Sequence, residues 1–213
     1  MDLTCHTSSG TLGGRLYSEG ASMSLALLVR AGDTIYYAAD SRCLFTKQDC
    51  DGVERVERTD NEYKKIFRMP GSNIVLTVTG DAEKDGLSAE TIIQSSNNLN
   101  ECRNGLKRLD VAVMYVSKMN DAYYVSYLLD DSYECLQEYI IYATGHKITE
   151  NIIPKFKMPS GIGEKDIITY INRLTNLFIV YHELADNSIG GHISIFKQKY
   201  GEPPVRIQGF YDI

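Results

Sequence analysis

The 213-residue chain has little of what marks several large functional classes. It has no basic excess: 22 Lys and Arg against 28 Asp and Glu give a formal net charge of −6. A nucleic-acid binder usually carries a basic face, so that class is disfavoured. No apolar run approaches the roughly 18 residues needed to cross a bilayer. The opening "MDLTCHTSSGTLGGRLYSEG" lacks the apolar segment of a secretory signal. Together these absences predict a soluble, cytoplasmic protein with neither nucleic acid nor membrane among its partners.

Chelating and phosphate-binding patterns are missing too. The cysteines, Cys5, Cys43, Cys50, Cys102 and Cys135, are odd in number and form no C-x-x-C pair, which argues against a disulfide framework or a zinc site. Reduced thiols buried as small hydrophobes are the expectation. His6, His146, His182 and His192 make no i, i+4 pair, so no metal or other cofactor is expected. "GTLGG" at 10–14 is no phosphate loop, because no Lys-Ser/Thr follows and no apolar strand precedes it. There are no internal repeats, and no linker divides the chain.

What is present reads mainly as strands. "SLALLVRAGDTIYYAADSR" is two apolar runs around a glycine turn, a hairpin ending on Asp40 and Arg42. A polar excursion over 43–62 turns at Asp51-Gly52. "YKKIFRM" and "NIVLTVTG" flank the turn signal at 70–73. Ser88 is a plausible N-cap for a modest helix, "AETIIQSSNNL", weakened toward its end by Asn97, Asn98 and Gly105. "DVAVMYVSK", "AYYVSYLLD" and "QEYIIYATG" predict three strands at hairpin spacing. The strongest helix covers about 163–185, where Ile167, Ile168, Ile171, Leu174, Phe178, Tyr181 and Leu184 recur at three- and four-residue steps. "GGHISIFKQ" and "VRIQGFY" close the chain as an antiparallel pair. This order predicts an α+β domain of antiparallel sheets.

The series "SMSLALLV…G…AADSR", then "KKIF", then "VTGDAE", resembles the start of the proteasome β-subunit family of N-terminal-nucleophile hydrolases. The resemblance covers nearly all of residues 22–213. It implies a four-layer αββα sandwich of two antiparallel sheets, preceded by a leader or propeptide at 1–21. The stretch between Gly80 and residue 110 is too short for the family's pair of long helices, so that first helix pair is expected to be reduced.

By the resemblance, Ser22 stands where the family exposes a nucleophilic threonine by autocatalytic processing, here at Ala21–Ser22. Leu25-Ala26 and Gly32 support that register. The span from Gly32 to Asp40 exceeds the family's, and without an extended hairpin Ser24 takes the position instead. Asp40 matches the acidic site residue and Arg42 its neighbour. Lys65 matches the catalytic lysine, with Lys64 as the fallback, and Gly80 the oxyanion glycine. "ADNSIGG" places Asp186 on a second acidic site residue, with Ser188 beside Ile189 where a site serine is usual. Thr144 in "ATGH" replaces another site serine. The activity implied is a peptidase or amidohydrolase on a peptide or small amide, in an assembly that could be a homo-oligomer. The alternative is a non-catalytic structural or binding protein of the same fold that keeps its N-terminal segment.

The chemistry is coherent on its own terms. An N-terminal hydroxyl carries a built-in base, an α-amine with an ordinary pKa of roughly 7.7–8.0. A lysine cation nearby disfavours the protonated amine. An aspartate holds that lysine charged and in place, and a backbone N–H can hold the oxyanion.

Overall fold

The computed structural model describes residues 24–48, 54–84, 86–145, 156–185 and 188–213. Two five-stranded sheets dominate them, and every strand ladder among the described residues is antiparallel. The fold is α+β, as the pattern of runs predicts.

The opening hairpin is β1 (Leu25–Ala31) and β2 (Thr34–Asp40), joined through Gly32 in a left-handed conformation that glycine adopts without strain. It forms the middle of the first sheet. β3 (Cys43–Gln48) and β4 (Glu54–Asp60) pair with each other as a separate ribbon. The expected turn at Asp51-Gly52 lies outside the described residues. β5 (Ile66–Arg68) and β6 (Val75–Asp81) belong to the second sheet, with β5 at its edge. A short pair follows, β7 (Glu83–Lys84) and β8 (Leu87–Ser88).

The single modest helix expected next is two helices, α1 (Ala89–Ser95) and α2 (Leu99–Leu106). Ser88 caps α1, accepting the Thr91 N–H at 3.1 Å. Asn98 does not weaken a helix end; it begins a new helix. Its side chain accepts the Glu101 N–H at 3.0 Å while the Glu101 carboxylate takes the Asn97 backbone N–H and the Asn98 side-chain amide, a reciprocal cap. A Cβ at Gly105 would lie 2.5 Å from the Ile92 methyl, so the glycine lets the two helices close on each other.

β9 (Asp110–Met119), β10 (Ala122–Tyr127) and β11 (Ser132–Cys135) complete the second sheet, ordered β11-β10-β9-β6-β5. The three-strand expectation needs correction here. The partner of β10 is β11, while the third expected strand becomes β12 (Ile141–Gly145) and crosses to the first sheet beside β1. α3 (Glu164–Ala185) follows, then β13 (Ile193–Lys199) and β14 (Val205–Gln208), giving the first sheet its order β12-β1-β2-β13-β14.

Successive strand residues point to opposite faces, and here both faces of β1 and β2 are apolar. Leu25, Leu27 and Val29 join Tyr36 and Ala38 in a cluster with Ile167, Ile171, Leu174 and Phe178 of α3. Ala26, Leu28, Ile35, Tyr37 and Ala39 face a second cluster containing Ile66, Met114, Val116 and Val125 of the other sheet. Phe67, Leu76, Val78, Val111 and Val113 meet Ala89, Ile92, Ile93, Cys102 and Leu106 of α1 and α2 in a third. Tyr181, expected on the buried face of α3, is 47% exposed; His182 is the buried neighbour.

Candidate active site

The first and second sheets are tied at one end by an ion pair. β2 is an apolar run that stops at Asp40, leaving its carboxylate buried. A buried charge is costly unless matched, and Asp40 is matched fully. Its Oδ1 accepts Lys65 Nζ at 2.7 Å and the Leu25 N–H at 2.8 Å. Its Oδ2 accepts the Gly190 N–H at 3.0 Å and the Arg42 N–H at 3.2 Å. Lys65, equally buried just ahead of β5, also donates to the Arg42 carbonyl at 2.5 Å. Of the two candidate lysines it is therefore Lys65 that meets Asp40. Lys64 points elsewhere, pairing with Glu90 at 3.0 Å on the surface.

A loop between α3 and β13 braces this pair. The Gly190 carbonyl accepts the N–H groups of Ser41 and Arg42 at 3.1 and 3.0 Å. Ser41 Oγ donates to the Asn61 carbonyl and accepts the His192 N–H at 2.7 Å. The Arg42 guanidinium donates to the Asn61 side chain at 2.8 Å, away from the lysine. Close approach explains the paired glycines: a Cβ at Gly190 would meet the Arg42 guanidinium at 2.5 Å, and one at Gly191 the Ser41 hydroxyl at 2.6 Å.

Ser24 enters β1 one residue before Leu25 and is buried. Gly145 of β12 lies opposite Leu25, and a Cβ there would sit 1.7 Å from the Ser24 carbonyl oxygen. Thr144, next in β12, places its hydroxyl 3.3 Å from that of Thr79 in β6. This contact joins the two sheets directly beside Gly80, whose φ is 96° and where an added Cβ would lie 2.4 Å from the Asp110 carbonyl oxygen, leaving no room for a side chain. Ser188 is buried with its hydroxyl 3.2 Å from His182 Nδ1. Ser22 and Asp186 lie outside the described residues.

Two contributors carry no signal in the sequence, Asn61 and Tyr211, while the Gly190 backbone lies in "ADNSIGG" but is not singled out by it. The Tyr211 hydroxyl accepts the Ile66 N–H at 3.2 Å and the Lys65 N–H at 3.4 Å. Burial pushes its phenol up, while those backbone donors oppose the shift. Cys43, where β3 leaves the site, has its thiol pushed up to about 11 by burial, against the pull of the Lys65 charge. Among the described residues no group of His, Cys, Asp or Glu is placed to hold a metal ion, and no helix is long and apolar enough to cross a membrane.

No protein-family model matches the sequence, and no curated protein does. Among solved structures the chain is similar to the Anbu (Gly-1) mutant from Hyphomicrobium sp. strain MC1. The identity is 14%, the TM-score 0.47, and the match covers 87% of each chain.

Proposed function

We propose that the chain is an N-terminal-nucleophile hydrolase of proteasome β-subunit type, a four-layer αββα sandwich that cleaves peptide or small amide bonds. The observation that carries this reading is the buried Asp40–Lys65 pair, with Lys65 Nζ shared between Asp40 and the Arg42 carbonyl, at the first residues of β1. A lone structural ion pair needs no such placement. The three apolar clusters, helix on sheet, sheet on sheet and sheet on helices, support the layer order.

Ser24 is the nucleophile in this proposal. The Leu25 N–H already bonds Asp40, so Ser24 is one peptide from the charged pair. Ser22 stands two residues further back, up to about 7 Å along an extended chain. Cleavage of the Met23–Ser24 bond frees the Ser24 α-amine. That amine takes the hydroxyl proton as the oxygen attacks the substrate carbonyl. Lys65 keeps the amine largely unprotonated by like-charge repulsion, and Asp40 fixes Lys65. The tetrahedral oxyanion is assigned to the Gly80 backbone N–H. As the intermediate collapses, the C–N bond breaks and the leaving amine takes the proton back from the α-ammonium. Water, activated by the same amine, then hydrolyses the ester on Ser24. Arg42, Thr144 and Ser188 support the frame, and Asp186 is proposed as the second acid.

A scaffold that keeps its N-terminal segment is the second reading, to which the burial of the Ser24 side chain points. Intact mass and N-terminal sequencing of the full-length protein separate the two. A free Ser24 amine, with hydrolysis of fluorogenic peptides lost in Ser24→Ala, is the expected result. A new terminus at Ser22 returns the role to that residue. A stable Met1 start without hydrolysis makes the chain a scaffold.

A further inference from the structure

β5 is an edge strand, so N–H groups on its outer side have no neighbouring strand to receive them. At the head of β5, where Lys65 and Ile66 are both buried, water is excluded as well. One oxygen fills that gap. After β14 the chain turns through Gly209, at φ 120°, and brings Tyr211 back across the sheets. Its ring packs 5.6 Å from Phe196 and 5.0 Å from Phe210, within the cluster between the two sheets. Its hydroxyl accepts both amides, at 3.2 Å from Ile66 and 3.4 Å from Lys65.

We propose that Tyr211 is a positioning residue for the reaction assigned above: by receiving the Lys65 and Ile66 amides, its hydroxyl sets where Lys65 Nζ stands relative to Asp40 and the Ser24 amine. The inference rests on that reaction for its kinetic consequence and on geometry alone for the anchoring. A lysine side chain is flexible, so the head group is only as well placed as its backbone and its two acceptors make it. The groups facing Lys65 are the Asp40 carboxylate from β2, the Arg42 carbonyl and the Cys43 thiol from the start of β3. None of them touches the main chain of residue 65, whose carbonyl accepts the Val78 N–H of β6 at 2.8 Å and whose N–H is left to the Tyr211 hydroxyl. Coulombic influence on the amine falls with distance, so a displaced Nζ leaves the amine easier to protonate.

Tyr211→Phe removes one oxygen and keeps the ring. In the processed enzyme, the acid limb of kcat/KM should move to higher pH by about half a unit or more, since a weaker like charge raises the amine pKa. kcat should fall roughly tenfold with KM changed by less than about twofold. Tyr133→Phe, on an exposed ring, should leave both unchanged. A variant that is merely less stable loses active enzyme without moving the limb, so an unmoved limb in Tyr211→Phe overturns the proposal.

Anchoring is read separately in an unprocessed Ser24→Ala background. Amide hydrogen exchange at Lys65 and Ile66 should accelerate by about tenfold in Tyr211→Phe beyond any global change. Unchanged exchange overturns the proposal whether or not the chain hydrolyses anything. Failure of the wild type to process sinks the reaction but leaves the exchange result to decide the anchoring. Should Tyr211→Phe fail to fold, a ring-fluorinated tyrosine at 211 weakens the acceptor with the packing retained, and the same two readouts apply.

Discussion

Asp40 and Lys65 depend on each other more than on anything else in the molecule. Removing Lys65 leaves Asp40 with three backbone donors but no countercharge, in a site water does not reach. Breaking a buried pair in this way costs about 3–5 kcal/mol. Lys65→Ala should therefore lower the urea midpoint sharply. Lys64→Ala should cost about 1 kcal/mol or less, because its pair with Glu90 is half exposed. Equal losses in two such adjacent lysines would show that the buried pair has no special weight. That Asp40 and Lys65 belong together could be expected from the sequence only through the order of motifs that resembles the β-subunit family, because a charge at a strand end is by itself an ordinary turn or edge feature. No such order marks Tyr211. It is one of fifteen tyrosines, and it reaches the amides of Lys65 and Ile66 only through a fold that brings chain positions 146 and 145 residues apart together. Gly190 stands in "ADNSIGG", but its hydrogen bonds to Asp40, Ser41 and Arg42 follow from the fold and not from that motif.

Among the elements, periodicity succeeded where one face is buried and failed where tertiary pairing decided. The 3.6-residue stripe of α3 sets Ile167, Ile171, Leu174 and Phe178 against the first sheet; Tyr181 departs from it, and the Leu184 side chain lies outside what the structure describes. "QEYIIYATG" reads as continuing a hairpin, but local pattern does not specify which edge a strand joins. Its true partner, β1, explains Gly145. Two glycines with positive φ test this. Gly161, at φ +75°, has nothing near its missing Cβ, so Gly161→Ala should cost only the backbone strain of roughly 1–2 kcal/mol. Gly145→Ala adds a Cβ only 1.7 Å from the Ser24 carbonyl oxygen, a clash that only a parting of β12 from β1 relieves. Thermal unfolding should show the second variant clearly less stable. For the proposed cleavage before Ser24, N-terminal sequencing should show it slowed or abolished in this variant. If both variants melt together and process alike, β12 does not fix the start of β1.

For the whole molecule, the buried thiols and phenols make alkaline pH the weak side. Cys43 and Cys102 are both pushed by burial from an ordinary 9.0 up to about 11. An unfolded chain releases those protons as pH passes about 9, whereas the folded chain holds them until about 11. Between those values the unfolded state binds fewer protons, so stability falls as pH rises; below 9 these groups contribute no slope. Tyr63 and Tyr211, raised by burial from 10.0, extend the loss at the upper end. Urea midpoints taken from pH 8 to 11 should be level at first and then decline, and a flat profile to pH 11 would contradict the burial of these groups. Thiol chemistry supplies a second check. Iodoacetamide at pH 8 reacts with thiolate, so exposed Cys135 should be alkylated well before Cys43 or Cys102, as peptide mapping by mass spectrometry would show. Cys43 stands within reach of the Lys65 charge, so its labelling also monitors the site itself. A Lys65→Ala variant that opens the junction of the two sheets should label at Cys43 faster while Cys102, in the α1–α2 cluster, stays protected. Simultaneous labelling of both would mean that the site opens only when the entire domain unfolds.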